Sequence, residues 1–175
     1  MAPLEVRIYG DPILRTKSEP IEEADDRILS LALDMLETMH EEEGIGLAAV
    51  QVGFPIRLLV ADIGNRAPRS VSKIFINPEI LETKGEWIFD EGCLSIPGTS
   101  AEILRAETIR LRYVDGRGKT QEDTFSELHA RVLLHEIDHL DGRLFIDHLS
   151  PMRRAMILRK LNTMRQDRNG RIPRL

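Results

Sequence analysis

His135 and His139 stand four positions apart in His135-Glu136-Ile137-Asp138-His139, with a carboxylate directly after the first imidazole. Residues four apart share one face of a helix, so both imidazoles can address a single divalent ion. Glu136 sits beside such an ion without being needed to bind it, which suits a base acting on water. The bland alternative is a surface helix whose histidines hold nothing. Two histidines leave a tetrahedral ion short of at least one protein ligand, and Asp, Glu, His or Cys could complete it. Cys93, the sole cysteine, lies in Glu91-Gly92-Cys93-Leu94-Ser95-Ile96-Pro97-Gly98, a loop-like stretch rich in turn residues. A lone cysteine is more often a small buried hydrophobe than a ligand, but an H-E-x-x-H helix in the same chain tips the balance. A thiolate ligand would admit Fe(II) as well as Zn(II) and expose the site to oxidation.

A third stretch, Gly44-Ile45-Gly46-Leu47-Ala48-Ala49-Val50-Gln51, joins these two. The three together, in this order and spacing, resemble the bacterial peptide deformylases, whose motifs read G-x-G-L-A-A-x-Q, E-G-C-L-S and H-E-x-D-H. Gly10-Asp11-Pro12-Ile13-Leu14-Arg15 and Asp147-His148-Leu149-Ser150-Pro151 extend the likeness to roughly residues 5 to 165. The resemblance implies one divalent ion per chain, held by Cys93, His135 and His139, with water in the fourth position. Fe(II) would be the cellular metal, with Zn(II), Ni(II) or Co(II) acceptable to the same ligands. Glu136 would shuttle the proton, and the Gln51 amide with the Leu94 N–H would stabilise the oxyanion. Ile45, Gly46, Glu91 and Gly92 would surround the substrate. The implied reaction is hydrolysis of the N-formyl group from the formyl-methionine that begins a nascent polypeptide, releasing formate. Val50 and Leu134 depart from the family pattern, where proline and glutamine are common. Residues 98–105 lack the extra arginine or aromatic residue that some members carry near Ser100.

The elements that must position these residues are an α+β set: antiparallel sheets around a central metal-binding helix, with an amino-terminal and a carboxy-terminal helix. Ile28, Leu31, Leu33, Met35, Leu36 and Met39 give helical periodicity to residues 25–42. The glycine stretch follows. Its formal match to the dinucleotide fingerprint fails on context, because a helix enters it and a strand leaves it; a tight turn with glycines at positive φ is the expectation instead. Residues 56–61 and 74–76 read as strands, and Ile109, Leu111 and Tyr113 alternate with arginines before a hairpin at residues 115–118. The metal-binding helix is expected from Phe125 to about Asp141, ended by Gly142. On it, Phe125, Leu128 and Val132 fall on the His139 side of His135, forming an apolar wall for a hydrophobic substrate or simply filling the core. Asp138 falls on the other side, either orienting a partner or facing solvent. A last helix is expected from about Pro151 to Arg165, with residues 166–175 as a flexible basic tail.

The bulk properties fit a single domain, 1–175, of 42% hydrophobic content and large enough to bury a core. No apolar run is long enough to span a membrane, and the start lacks the pattern of a secretory signal. A single cysteine cannot form an internal disulfide, which fits the cytoplasm, or an organellar matrix after removal of a transit peptide. A monomer is expected. The net charge of −5 is split: from Pro151 onward eight Lys and Arg face Asp167 alone, net +7, so the remainder carries −12. Such a split marks either a solvated tail or a nucleic-acid contact, and the resemblance points to the ribosome near the exit tunnel. The alternatives are a zinc-dependent peptidase, which would usually take a third His or Glu, and a non-catalytic ribosome-associated protein.

Overall fold

The computed structural model describes residues 3–64 and 71–169. The first long element is α1 (Asp26–Glu41), capped by Asp25, whose carboxylate accepts the backbone N–H groups of Arg27 and Ile28. It buries Ala32, Met35, Thr38 and Met39; of the residues that carry the expected periodicity, Met35 and Met39 are buried, Ile28, Leu31 and Leu36 are partly buried, and Leu33 is exposed. The chain then forms β1 (Gly46–Ala48), a 3-10 turn at Ala49–Val52, β2 (Leu58–Asp62) and β3 (Ser72–Lys84). A hairpin of β4 (Trp87–Gly92) and β5 (Ser100–Arg105) forms a separate two-stranded sheet. β6 (Thr108–Val114) and β7 (Thr120–Ser126) complete an antiparallel five-stranded sheet of order β1-β2-β3-β6-β7.

The alternation in β6 is plain: Ile109, Leu111 and Tyr113 are buried while Arg110 and Arg112 face water. β2 instead is buried on both faces. Leu58 and Val60 pack with Met35 and Met39 of α1, whereas Leu59 and Ala61 join Phe75 and the central helix α2 (Glu127–Leu140). The sheet is therefore sandwiched between helices, with α2 on the inner face. A third cluster, including Leu14, Ile96, Ile103, Phe145 and Leu161, ties the loop after β4 to α3 (Pro151–Asn169).

Several element boundaries differ from expectation. The predicted helix start at Phe125 is wrong, because Phe125 is the sixth residue of β7 and pairs with Ile109. Glu127 at φ 53 makes the break between strand and helix, a corner at which apolar periodicity alone does not tell the two apart. At the other end Gly142 at φ 71 stops the helix as predicted. β3 runs far beyond residues 74–76, with register shifts around Asn77-Pro78, and so accommodates a proline within a strand. α3 continues to Asn169, past the predicted Arg165; the rest of the expected tail, residues 170–175, lies outside the described residues. Among the described residues no helix is long and apolar enough to cross a membrane.

Candidate metal centre

α2 projects His135 and His139 from one face toward Cys93, which follows β4. One ligand atom from each of Cys93, His135 and His139 falls within 4.8 Å of the others. Cys93 Sγ is 3.2 Å from His139 Nε2, and the imidazole centroids are 5.0 Å apart. Donors converging this closely suit one ion with bonds of about 2.0–2.3 Å. The set of one sulfur and two imidazole nitrogens is that of a borderline or soft divalent metal. His135 Nδ1 lies 3.0 Å from Glu91 Oε2, which holds that nitrogen's proton and leaves Nε2 for a metal. Within the described residues, the buried His139 Nδ1 and Glu136 Oε2 have no hydrogen-bond partner. Buried polar atoms seldom stay unpaired, so Glu136 is poised for a water or substrate group.

The environment of Glu136 explains part of the glycine motif. A Cβ added at Gly46 would lie 2.5 Å from Glu136 Oε1 and 2.8 Å from Val132 Cγ1. At Gly44 it would meet Leu94 Cδ1 at 2.9 Å. Neither glycine has positive φ, so the expected left-handed turn is corrected: close approach, not backbone freedom, requires them. Burial pushes the Glu136 carboxyl up to about 7, partly offset by His135 and reinforced by the Glu91 charge.

Gln51 ends the same motif on the 3-10 turn. Its Oε1 accepts the Ala48 N–H at 2.8 Å, which fixes the amide so that Nε2 faces Ser95 Oγ at 3.2 Å and Cys93 Sγ at 3.7 Å. The Leu94 N–H, on the turn after Cys93, donates to no acceptor among the described residues. Gln51 Nε2 and this N–H therefore supply donors on the Cys93 side of the site.

Behind Cys93, His135 and His139 lies a buried ionic network. Arg105 donates through Nε and Nη2 to Glu91 at 2.5 and 3.0 Å, and through Nη1 to Asp138 at 2.7 Å. Arg131 Nη1 reaches Glu91 at 2.6 Å and the Ile103 carbonyl at 3.0 Å; Nη2 donates to the Trp87 carbonyl. Its guanidinium lies 5.1 Å from the Trp87 ring centroid. Burial alone would raise the Glu91 carboxyl, but hydrogen bonds from His135 and Arg105 outweigh it and hold the group well below the usual range. Burial likewise opposes ionisation of Asp138, yet His148, 2.7 Å away, and Arg105 keep it low. Asp138 thus orients partners and does not face solvent.

The site opens into a cleft of about 790 Å³ lined by Ile45, Gly46, Gln51, Gly92, Leu128 and Val132 beside His135 and Glu136. Leu128 and Val132 stand where the helical geometry predicts. Phe125 does not line the cleft. From β7 its ring sits 5.9 Å from Phe75 in the core, so its expected role in the apolar wall is withdrawn. Glu91 borders the cleft, as expected of a substrate-binding residue, but its carboxylate is occupied by Arg105, Arg131 and His135. Sequence reasoning missed Arg105 and Arg131 of the ionic network, and Phe89 and Lys160, which line the cleft. Only Arg131 left a signal: a charge inside Ala130-Arg131-Val132-Leu133-Leu134, four residues before His135 and hence on its face.

The family model described as polypeptide deformylase matches residues 3–155. A peptide deformylase of Mesorhizobium japonicum is 46% identical over 162 residues, which span 92% of each chain. One of Alkalilimnicola ehrlichii is 46% identical over 172 residues, 98% of this chain and 95% of the relative. The crystal structure of a peptide deformylase from Legionella pneumophila superposes with TM-score 0.90 at 38% identity, covering 98% of this chain and all of that one (100%). The peptide deformylase of Ehrlichia chaffeensis in complex with actinonin superposes with TM-score 0.88 at 36% identity, covering 94% of this chain and 98% of that one.

Proposed function

The chain belongs to the polypeptide deformylase family and is an enzyme of that type, and from that premise we propose that it hydrolyses the N-formyl group of N-formylmethionyl peptides in a metal-dependent reaction that releases formate. The observation that carries the reading is the convergence of Cys93, His135 and His139 with a buried Glu136, whose Oε2 has no partner, at the inner end of an apolar cleft. Cys93, His135 and His139 would hold the ion, which when bound supplies Lewis acidity and lowers the pKa of water. Glu136, near neutrality in its buried setting, takes a proton from the attacking water and returns it to the leaving amine. The negative charge developing on the formyl oxygen is met by Gln51 Nε2 and the Leu94 N–H; each such donor is worth about 3 kcal/mol of barrier. Ile45, Leu128 and Val132 give the methionine side chain apolar surface, and Gly46 and Gly92 line the cleft along the substrate backbone. Glu91 holds His135 in the tautomer that presents Nε2.

The finer assignments are part of the same proposal. Fe(II) fits the thiolate-bearing ligand set, with Zn(II), Ni(II) and Co(II) as substitutes. The +7 charge from Pro151 onward suits electrostatic attachment to ribosomal phosphate, where nascent substrates emerge. We assign the protein to the cytoplasm as a monomer. The test is anaerobic purification with elemental analysis, followed by assays on formyl-Met and acetyl-Met peptides. We expect about one divalent ion per chain and formate release from the formyl peptides only. Cleavage of internal peptide bonds, or turnover unaffected by stripping the metal, would overturn the reading.

A further inference from the structure

We infer that Lys160, on the carboxy-terminal helix, is a specificity-determining residue that selects peptides with an acidic side chain downstream of the formylated methionine. The inference rests on the deformylase reading. α3 borders the cleft through Ile157 and Lys160, so the far wall is built by an element that carries no ligand, base or oxyanion donor. Lys160 Nζ donates to the Gly98 carbonyl at 2.7 Å. That bond holds the ammonium at the segment after the metal loop, where Gly98 takes φ 72. An ammonium has three protons, so two remain for a ligand.

The other cation lining the cleft, Arg131, is buried and already paired with Glu91. Lys160 is exposed, whereas Glu43 and Asp90 stand exposed elsewhere on the lining. The cleft therefore presents one available cation against two anions among the described residues. A downstream carboxylate is attracted to Lys160 and repelled from Glu43 and Asp90, so its position along the peptide matters. The inner end cannot read charge, because it is apolar around Leu128 and Val132 and its polar groups are committed to chemistry. A formylated amine carries no charge either, so the first charge that the substrate offers is a side chain beyond the methionine.

An exposed ion pair shifts an equilibrium about 1.4- to 5-fold, and exchanging an acidic for a basic side chain doubles that on a logarithmic scale, to about 2- to 25-fold. The experiment uses the metal-loaded full chain and formyl-Met tetrapeptides with Glu, Ala or Lys at the second, third or fourth position. Formate release is followed at low and high salt. At one position the wild-type Glu-over-Lys ratio in kcat/KM should fall in that range, reside in KM and shrink in high salt. Lys160→Arg should keep the ratio, Lys160→Met should bring it to one or below, and Lys160→Glu should lower it further. Each ratio is taken within one variant, so differences in folding yield cancel. Equal ratios in wild type and both charge-removing variants at every position would overturn the inference while leaving deformylation intact. No formate from any peptide would overturn the deformylase reading itself.

Discussion

Replacing Glu91 by glutamine removes one buried charge at nearly constant volume, and the network around it sets the cost. Two guanidiniums, Arg105 and Arg131, face two carboxylates, Glu91 and Asp138. Side-chain exposure is 5% for Arg105, 3% for Arg131 and 4% for Glu91, so water screens none of these pairs. In Glu91→Gln, Arg105 keeps Asp138, but Arg131 retains only the Ile103 and Trp87 carbonyls and has no anion. The new amide must also direct N–H groups at a guanidinium or at His135 Nδ1. Removing one partner of a buried pair costs about 3–5 kcal/mol, a large share of a total stability of about 5–15 kcal/mol. For a domain of this size that corresponds to a fall in Tm of roughly 6–20 °C. Urea unfolding should be run with chelator present, so that metal binding does not contribute, and an unchanged m-value confirms a like-for-like comparison. Metal affinity, read by chelator competition, should drop about 10- to 100-fold, because His135 loses its orienting acceptor. Arg131→Met should cost about 0.5–3 kcal/mol less in the Glu91→Gln background than in wild type. A Glu91→Gln protein that unfolds within about 1 kcal/mol of wild type would refute the claim that this carboxylate anchors the network.

Four further outcomes are expected. Glu136→Ala should keep its metal but lose at least about 10²-fold in turnover; activity within tenfold of wild type would sink the base assignment. Since burial pushes Glu136 up to about 7 and a base works only when ionised, kcat/KM should fall on the acid side. A bound cation lowers that value, so the limb lies at or below about pH 7, and one above about pH 8 would contradict the assignment. Gly46→Ala should fold, as judged by circular dichroism, yet lose turnover by about 10²-fold, because the added methyl would lie 2.5 Å from Glu136 Oε1; wild-type kinetics would show that the carboxylate does not rest against β1. Asp147 is held low, since hydrogen bonds from Arg15 and the Leu144 N–H outweigh the effect of burial. Its stabilisation is therefore present above the unfolded carboxyl pKa and lost as pH falls through the folded one. Asp147→Asn should cost about 1 kcal/mol at pH 7 by urea unfolding and less near pH 3, below the unfolded carboxyl pKa, and an equal cost at both would refute the charge argument.

Residues that act within one turn or one hairpin were legible before folding. His135 and His139 share a face because a helix repeats every 3.6 residues, and that holds in any tertiary setting. The alternation of Ile109, Leu111 and Tyr113 marked β6, and Asp115 with Gly118 marked its turn, since Asp115 Oδ1 accepts the Arg117 and Lys119 N–H groups locally. Cys93 as a candidate ligand was legible only through its resemblance to known motifs, because periodicity does not tell a ligand from a small core residue.

What tertiary structure decided depends on which distant segments meet. Arg105 and Arg131 are 14 and 40 positions from Glu91, and no local pattern couples them. Lys160 enters the cleft only because α3 packs back through Leu161 against Ile96 and Ile103. Phe125 changed from helical wall to core strand because the left-handed Glu127 lies just beyond it. Gly46 owes its missing side chain to a carboxylate 90 residues away, not to its own φ. Local spacing therefore wrote the core of the proposed site, two imidazoles placed to share one ion with a carboxylate beside them. The ionic brace that holds the histidine, the room left for the base and the far wall of the cleft came from long-range packing, because steric and electrostatic contacts act through space and not along the chain.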